Sequence, residues 1–161
     1  MDEKRDLLVR LSNGVLIPTE ELIISVHAKV IENRRKLGKE DPDAIRDRGL
    51  LRHVYDTLFD RMHKYTNNPR ENALYVATET FYCIACQHPF VEGNKSTAYL
   101  CSLILLIVNQ LPDKGEELLL DKWNPGFAPK EAEEITKLAE AGQSEQEVKK
   151  LIKEFLQKTI I

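Results

Sequence analysis

A chain of 161 residues, 42% of them hydrophobic, has the size and apolar content of one domain around one core, and it is read as a single domain over residues 1–161. Charged residues make up 30% and the net charge is −3, so no basic field points to nucleic acid as a partner. The charged start, Met1-Asp2-Glu3-Lys4-Arg5-Asp6, is followed by no apolar secretory run, and Leu103 to Val108, the longest apolar run, is far below the roughly 20 residues that span a bilayer. Neither secretion nor a membrane is expected, which leaves the cytoplasm.

Leu7 to Ser12 and Val15 to Ile17 flank Asn13-Gly14, the dipeptide that most readily makes a two-residue hairpin turn, so a small hairpin is expected within residues 6–17. Pro18 ends it. Thr19 can cap a helix whose apolar positions Leu22, Ile23, Val26 and Val30 recur at helical spacing, and that helix should end near Gly38. After the polar connection Lys39 to Asp43, a second helix should run to about Met62, with Leu50, Leu51, Val54, Leu58 and Phe59 as its buried stripe. His53 and His63 fall outside that stripe and read as solvated.

Asn68 can cap a third helix with Pro69 at its first position, and Ala73, Leu74, Ala77, Phe81, Ile84 and Ala85 trace one face of it. Ala98 to Val108 is apolar all round, as in a helix buried at a domain's centre. Pro112-Asp113 breaks it; Lys114 to Leu120 reads as a short helix, with Trp123 and Phe127 as packing residues beyond. Pro129 starts a helix ending at Gly142, and Ser144 with Glu147 forms a capping box for a last amphipathic helix through Val148, Leu151, Ile152, Phe155 and Leu156. The expected fold is all-α: a compact bundle around a central buried helix, with at most a small N-terminal hairpin. Cys83 and Cys86 form a C-x-x-C pair, but late in a helix and without an evident fourth ligand, so they and Cys101 read as buried reduced thiols.

Between the third helix and the central one lies His88-Pro89-Phe90-Val91-Glu92-Gly93-Asn94-Lys95-Ser96-Thr97-Ala98. A titratable imidazole and a carboxylate lie four residues apart, in a turn closed by Gly93. The amides from Asn94 to Thr97 would be the unpaired donors at the start of the next helix, and such donors with the helix dipole attract phosphate. Lys95 adds charge to that cradle, while Ser96 and Thr97 add hydroxyls.

This order of residues resembles the signature of the Fic/Doc family, His-Pro-Phe-x-(Asp/Glu)-Gly-Asn followed by Gly or Lys and then Arg. With Lys95 after Asn94 it is most similar to the death-on-curing (Doc) branch, the toxins of toxin–antitoxin pairs. Ser96 stands where the family carries arginine. The resemblance implies a compact helical Fic/Doc-like fold and a transferase that uses ATP and Mg2+. His88 would take the proton from a hydroxyl of a target protein, and Glu92 would hold the magnesium that bridges the phosphates. Gly93, Asn94, Lys95, Ser96 and Thr97 would bind phosphate, Asn94 either directly or by orienting the loop.

Lys95 favours transfer of the terminal phosphate, as in Doc; transfer of AMP is the alternative, and the loss of arginine at Ser96 leaves a third, a weakened module that binds nucleotide or partner. The implied partners are elongation factor Tu or its counterpart as target and a separate antitoxin as regulator. Thr19 to His27 is similar to the opening helix of Doc proteins, Ile45 to Leu51 resembles their Arg-Asp-x-Gly-Leu-Leu segment, and residues 63–69 fall where Fic-like proteins carry a flap over the site. Thr136-Lys137-Leu138-Ala139-Glu140 resembles the family's inhibitory glutamate motif, with Ala141 breaking the pattern. A non-enzymatic interaction module, in which His88 and Glu92 only close a loop, would be indifferent to ATP and magnesium.

Overall fold

A computed structural model describes residues 6–38, 44–62, 68–109 and 128–159. Residues 63–67 of the expected flap over 63–69, with His63, the short helix over 114–120, and Trp123 and Phe127 lie outside the described residues.

Strands β1 (Leu8–Arg10) and β2 (Leu16–Pro18) pair antiparallel with Val9 opposite Ile17. Their turn differs from the expected two-residue form. Leu11 N–H donates to Val15 O at 2.9 Å and Gly14 N–H to Leu11 O at 2.9 Å, which leaves Ser12, Asn13 and Gly14 as the loop. The two-residue type I′ turn that Asn-Gly favours needs positive φ at both residues. Here Gly14 alone has it, at +87°, while Asn13 Oδ1 accepts the Val15 N–H at 3.2 Å and stabilises the longer turn locally.

Six helices follow among the described residues: α1 (Glu20–Lys36), α2 (Arg48–Met62), α3 (Pro69–Gln87), α4 (Asn94–Val108), α5 (Lys130–Glu140) and α6 (Glu145–Thr159). The expected caps are in place. Thr19 Oγ1 accepts from Leu22 N–H at 3.4 Å, Asn68 Oδ1 from the amides of Arg70 and Glu71, and Ser144 Oγ from Glu147 N–H at 3.2 Å. The fold is all-α apart from the hairpin, as the helical spacing requires.

The core centres on α4, which packs against α3, α1, α5 and β2. Its apolar residues are buried except Ile104, Ile107 and Val108, which are partly exposed. Ser102 Oγ lies 2.8 Å from Ala98 O and 3.2 Å from Ala77 O, a polar contact that the close approach of α3 permits. At the other end of α4, Asn109 accepts from Leu16 N–H at 2.9 Å and donates to Leu16 O at 3.1 Å, tying the hairpin to the central helix. On α2, Leu51, Val54 and Leu58 are buried, but Phe59 is 44% exposed, its ring beside Tyr55; it does not belong to the stripe. Burial pushes the Cys83 thiol up to about 12 and Cys86 to about 11, and raises Cys101 further, so near neutral pH all three pack as small hydrophobes.

Candidate functional site

The loop between α3 and α4 is held from three directions. At its start, α3 ends in His88, which caps the helix in the left-handed region at φ 56°, a conformation that a non-glycine residue keeps only when its surroundings enforce it. Arg46 enforces it. Its Nε donates to His88 O and its Nη2 to Gln87 O, both at 2.6 Å, setting a fixed cation on carbonyls that the end of the helix leaves without partners. The backbone beside Arg46 completes the grip: Arg46 N–H and Asp47 N–H donate to Pro89 O at 2.7 and 2.9 Å, and Val91 N–H donates to Ala44 O at 3.0 Å. Ile45 and Phe90 thus form one antiparallel rung.

In the middle of the loop, Phe90 is buried and lies face to face with His27, ring centroids 3.7 Å apart and planes within 4°. His27 Nε2 is 2.8 Å from Glu92 O; a carbonyl only accepts, so this nitrogen carries the proton. Asn94 closes the loop from within, its Oδ1 accepting Phe90 N–H at 3.0 Å and its Nδ2 donating to Phe90 O at 2.9 Å. Of the two roles open to the Asn94 side chain, the geometry gives it the orienting one. For an anion Asn94 still offers its backbone N–H at the first position of α4.

Gly93 precedes α4 at φ +83°, and a Cβ there would stand 3.3 Å from Ile31 Cδ1 and 3.5 Å from the His27 ring. Both the conformation and the space call for glycine. Gly93 brings no capping side chain, and the Thr97 N–H closes the first turn onto Gly93 O at 3.0 Å. The start of α4 therefore faces outward with its dipole and first amides uncovered by a cap.

What they face is a cavity of about 310 Å3, near the lower end of the range for small-molecule sites. His88, Glu92, Gly93, Asn94, Lys95 and Ser96 line it together, joined by Arg34 from α1 and by Glu133 and Glu140 from α5. Six of the seven residues that the sequence singles out are thus brought together. Thr97 is not. It is fully buried, its amide is engaged with Gly93 O, and its Oγ1 has no hydrogen-bond partner, so neither group reaches the cavity.

Helix α5 brings negative charge to the rim. Glu140 Oε1 is 3.9 Å from His88 Nε2, and Glu133 Oε1 is 3.8 Å from Lys95 Nζ. These carboxylates are seven residues apart, two helical turns, and so stand on one face of α5. With Glu92 they set three carboxylates against Arg34 and Lys95. A polyphosphate in such a site meets repulsion from these carboxylates, which an accompanying cation would offset. Among the described residues no three His, Cys, Asp or Glu side chains cluster to cage a metal. Glu92 as one carboxylate, completed by phosphate oxygens and water, suits magnesium, which keeps several of its waters and rarely takes an all-protein cage.

Sequence reasoning missed Arg46, His27, Arg34 and Glu133 as parts of this site. The first two lie in segments with a family-like pattern, a signal that they matter but not how; Arg34 and Glu133 carry none. Among the described residues, no helix is long and apolar enough to cross a membrane. Residues 17–106 match the family model described as the Fic/DOC family, a stretch from β2 into α4 that holds Arg34, Arg46 and the whole loop but neither α5 nor α6. No curated protein and no solved structure matches the chain.

Proposed function

The chain belongs to the Fic/DOC family, whose members are typically transferases that use ATP with Mg2+, and on that premise we propose that it moves the terminal phosphate of ATP to a hydroxyl of a target protein. The observation that carries this reading is the convergence of His88, Glu92, Lys95 and the start of α4 on one cavity. His88 accepts the proton of the target hydroxyl as its oxygen bonds to the terminal phosphorus; the bond to the bridging oxygen breaks and ADP leaves. Lys95 and the first amides of α4 bind the phosphates, and in the family's pattern a lysine at this position goes with phosphate rather than AMP. Glu92 would hold magnesium, which when bound neutralises part of the phosphate charge.

The role of toxin in a toxin–antitoxin pair belongs to the same proposal, with elongation factor Tu or its counterpart as the first target to test. Intact-mass spectrometry of that target after incubation with ATP and magnesium decides the group transferred. A gain of about 80 Da supports phosphate transfer, and about 329 Da would replace it with transfer of AMP, the two outcomes of opposite nucleotide poses. No gain on any candidate target, with ATP still bound, would leave a binding module.

The place of Glu140 beside His88 bears on control. We infer that α5 restrains the site from within the chain, in addition to any antitoxin. Glu140→Gln is expected to tighten binding of magnesium with a nonhydrolysable ATP analogue by roughly two- to fivefold, the scale of one screened like charge near the phosphates. Calorimetry at low ionic strength checks it, and an unchanged affinity there would remove Glu140 from the account.

A further inference from the structure

We propose that Arg34, in the last turn of α1, is the guanidinium that grips the phosphate chain in this cavity, taking over from α1 the charge that the loop lacks at Ser96. The proposal rests on the reading that the cavity takes a nucleotide, and it names the residue that makes the site selective for a polyphosphate.

The face of α1 that touches the loop places Arg34 there. His27 bonds Glu92 O, Ile31 Cδ1 stands 3.3 Å from the Cβ position of Gly93, and Arg34 lines the cavity into which Glu92 and Gly93 open. Residues 27, 31 and 34 recur at spacings of four and three, so they form one stripe of the helix, and seven residues advance it by about 10.5 Å. The stripe runs from under the loop to the cavity beside it. Because His27 and Ile31 are both buried against the loop, the helix backbone from which Arg34 projects is held beside the cavity by packing.

The other cations do not fill this role. At Ser96, where a charge would come from the loop itself, the side chain is 4% exposed and carries only a hydroxyl. Lys95 faces Glu133 at 3.8 Å and is a point charge that cannot form the paired hydrogen bonds of a guanidinium to two phosphate oxygens. A bland role for Arg34, complementing the C-terminal dipole of α1, is already served by Arg35 and Lys36 in the same turn. Those two are exposed. Arg34 is half-buried and lines the cavity.

The test is calorimetric, on the full chain, with magnesium and a nonhydrolysable ATP analogue, with tripolyphosphate, and with adenosine. Arg34→Ala is expected to weaken the analogue and tripolyphosphate by about tenfold or more, the scale of one charge-assisted phosphate contact, and to leave adenosine unchanged. Arg34→Lys should fall between wild type and Arg34→Ala, since it keeps the charge and loses the fork. Adding Ser96→Arg to Arg34→Ala should restore the affinity to within about threefold of wild type, because Ser96 lines the same cavity.

Wild-type affinity in Arg34→Ala overturns the proposal. So does an equal loss for adenosine, which would mark a structural role, and so does a double variant as weak as Arg34→Ala. Failure of the nucleotide reading looks different: the wild-type chain would then bind neither the analogue nor tripolyphosphate, and both conclusions would go together.

Discussion

Replacing His88 with alanine is expected to lower phosphate transfer to the target by about 100- to 10,000-fold, the range for loss of a positioned general base, while nucleotide affinity stays within about twofold of wild type. The two effects separate because of how the loop is built. What anchors this residue is its backbone: His88 O accepts from Arg46 Nε at 2.6 Å, and the carbonyl before it accepts from Nη2 of the same guanidinium. Alanine keeps that carbonyl, and although histidine tolerates φ 56° better, the two bonds from Arg46 hold the backbone there, so the cradle at the start of α4 should survive the substitution. Single-turnover kinetics beside calorimetry gives both numbers. Transfer at more than a tenth of the wild-type rate would assign the base elsewhere, and a matching collapse of nucleotide affinity would show that the imidazole holds the loop rather than the proton.

Phe90→Ala is expected to cost about 3–5 kcal/mol of folding stability, as deletion of a buried aromatic ring usually does. Within the 5–15 kcal/mol typical of a domain, this is a large share, and it would show as a lower urea midpoint. Phe90 is only 1% exposed, and its ring covers His27 at 3.7 Å, a contact that adds to the area buried. Its backbone meets both ends of the Asn94 amide and the rung from Ile45. The loss should therefore also free the carbonyl of Glu92 from His27 and loosen the position of the carboxylate beyond it. A cost below about 1 kcal/mol would mean that Asn94 and Arg46 hold the loop without the ring.

Caps and periodic stripes were legible because they act over three or four residues. Thr19, Asn68 and Ser144 each bond amides within their own first turn, and α4 announced its burial by being apolar on every side. The hairpin was legible as a hairpin but not as a three-residue loop. Asn-Gly permits the shorter turn, and the choice depended on whether Asn13 adopted positive φ or used its side chain on Val15. The same limit applied to Asn94, since residue type offers an amide that suits both a phosphate and a backbone, and only the position of Phe90 settled which it meets.

By itself, then, the sequence determined that helices would dominate, which one would be central, and that His88, Glu92 and the start of α4 would share a loop, for these follow from neighbours along the chain. Which charges share the cavity with that loop was decided by tertiary structure alone. Arg46 meets His88 across 42 residues and His27 meets Glu92 across 65, while Arg34 arrives from α1 and Glu133 and Glu140 from α5. Helical spacing tells which face of its own helix a residue occupies. It does not tell how far that helix slides or turns against its neighbours, because that is set by how the apolar stripes of α1, α3, α4 and α5 fit together.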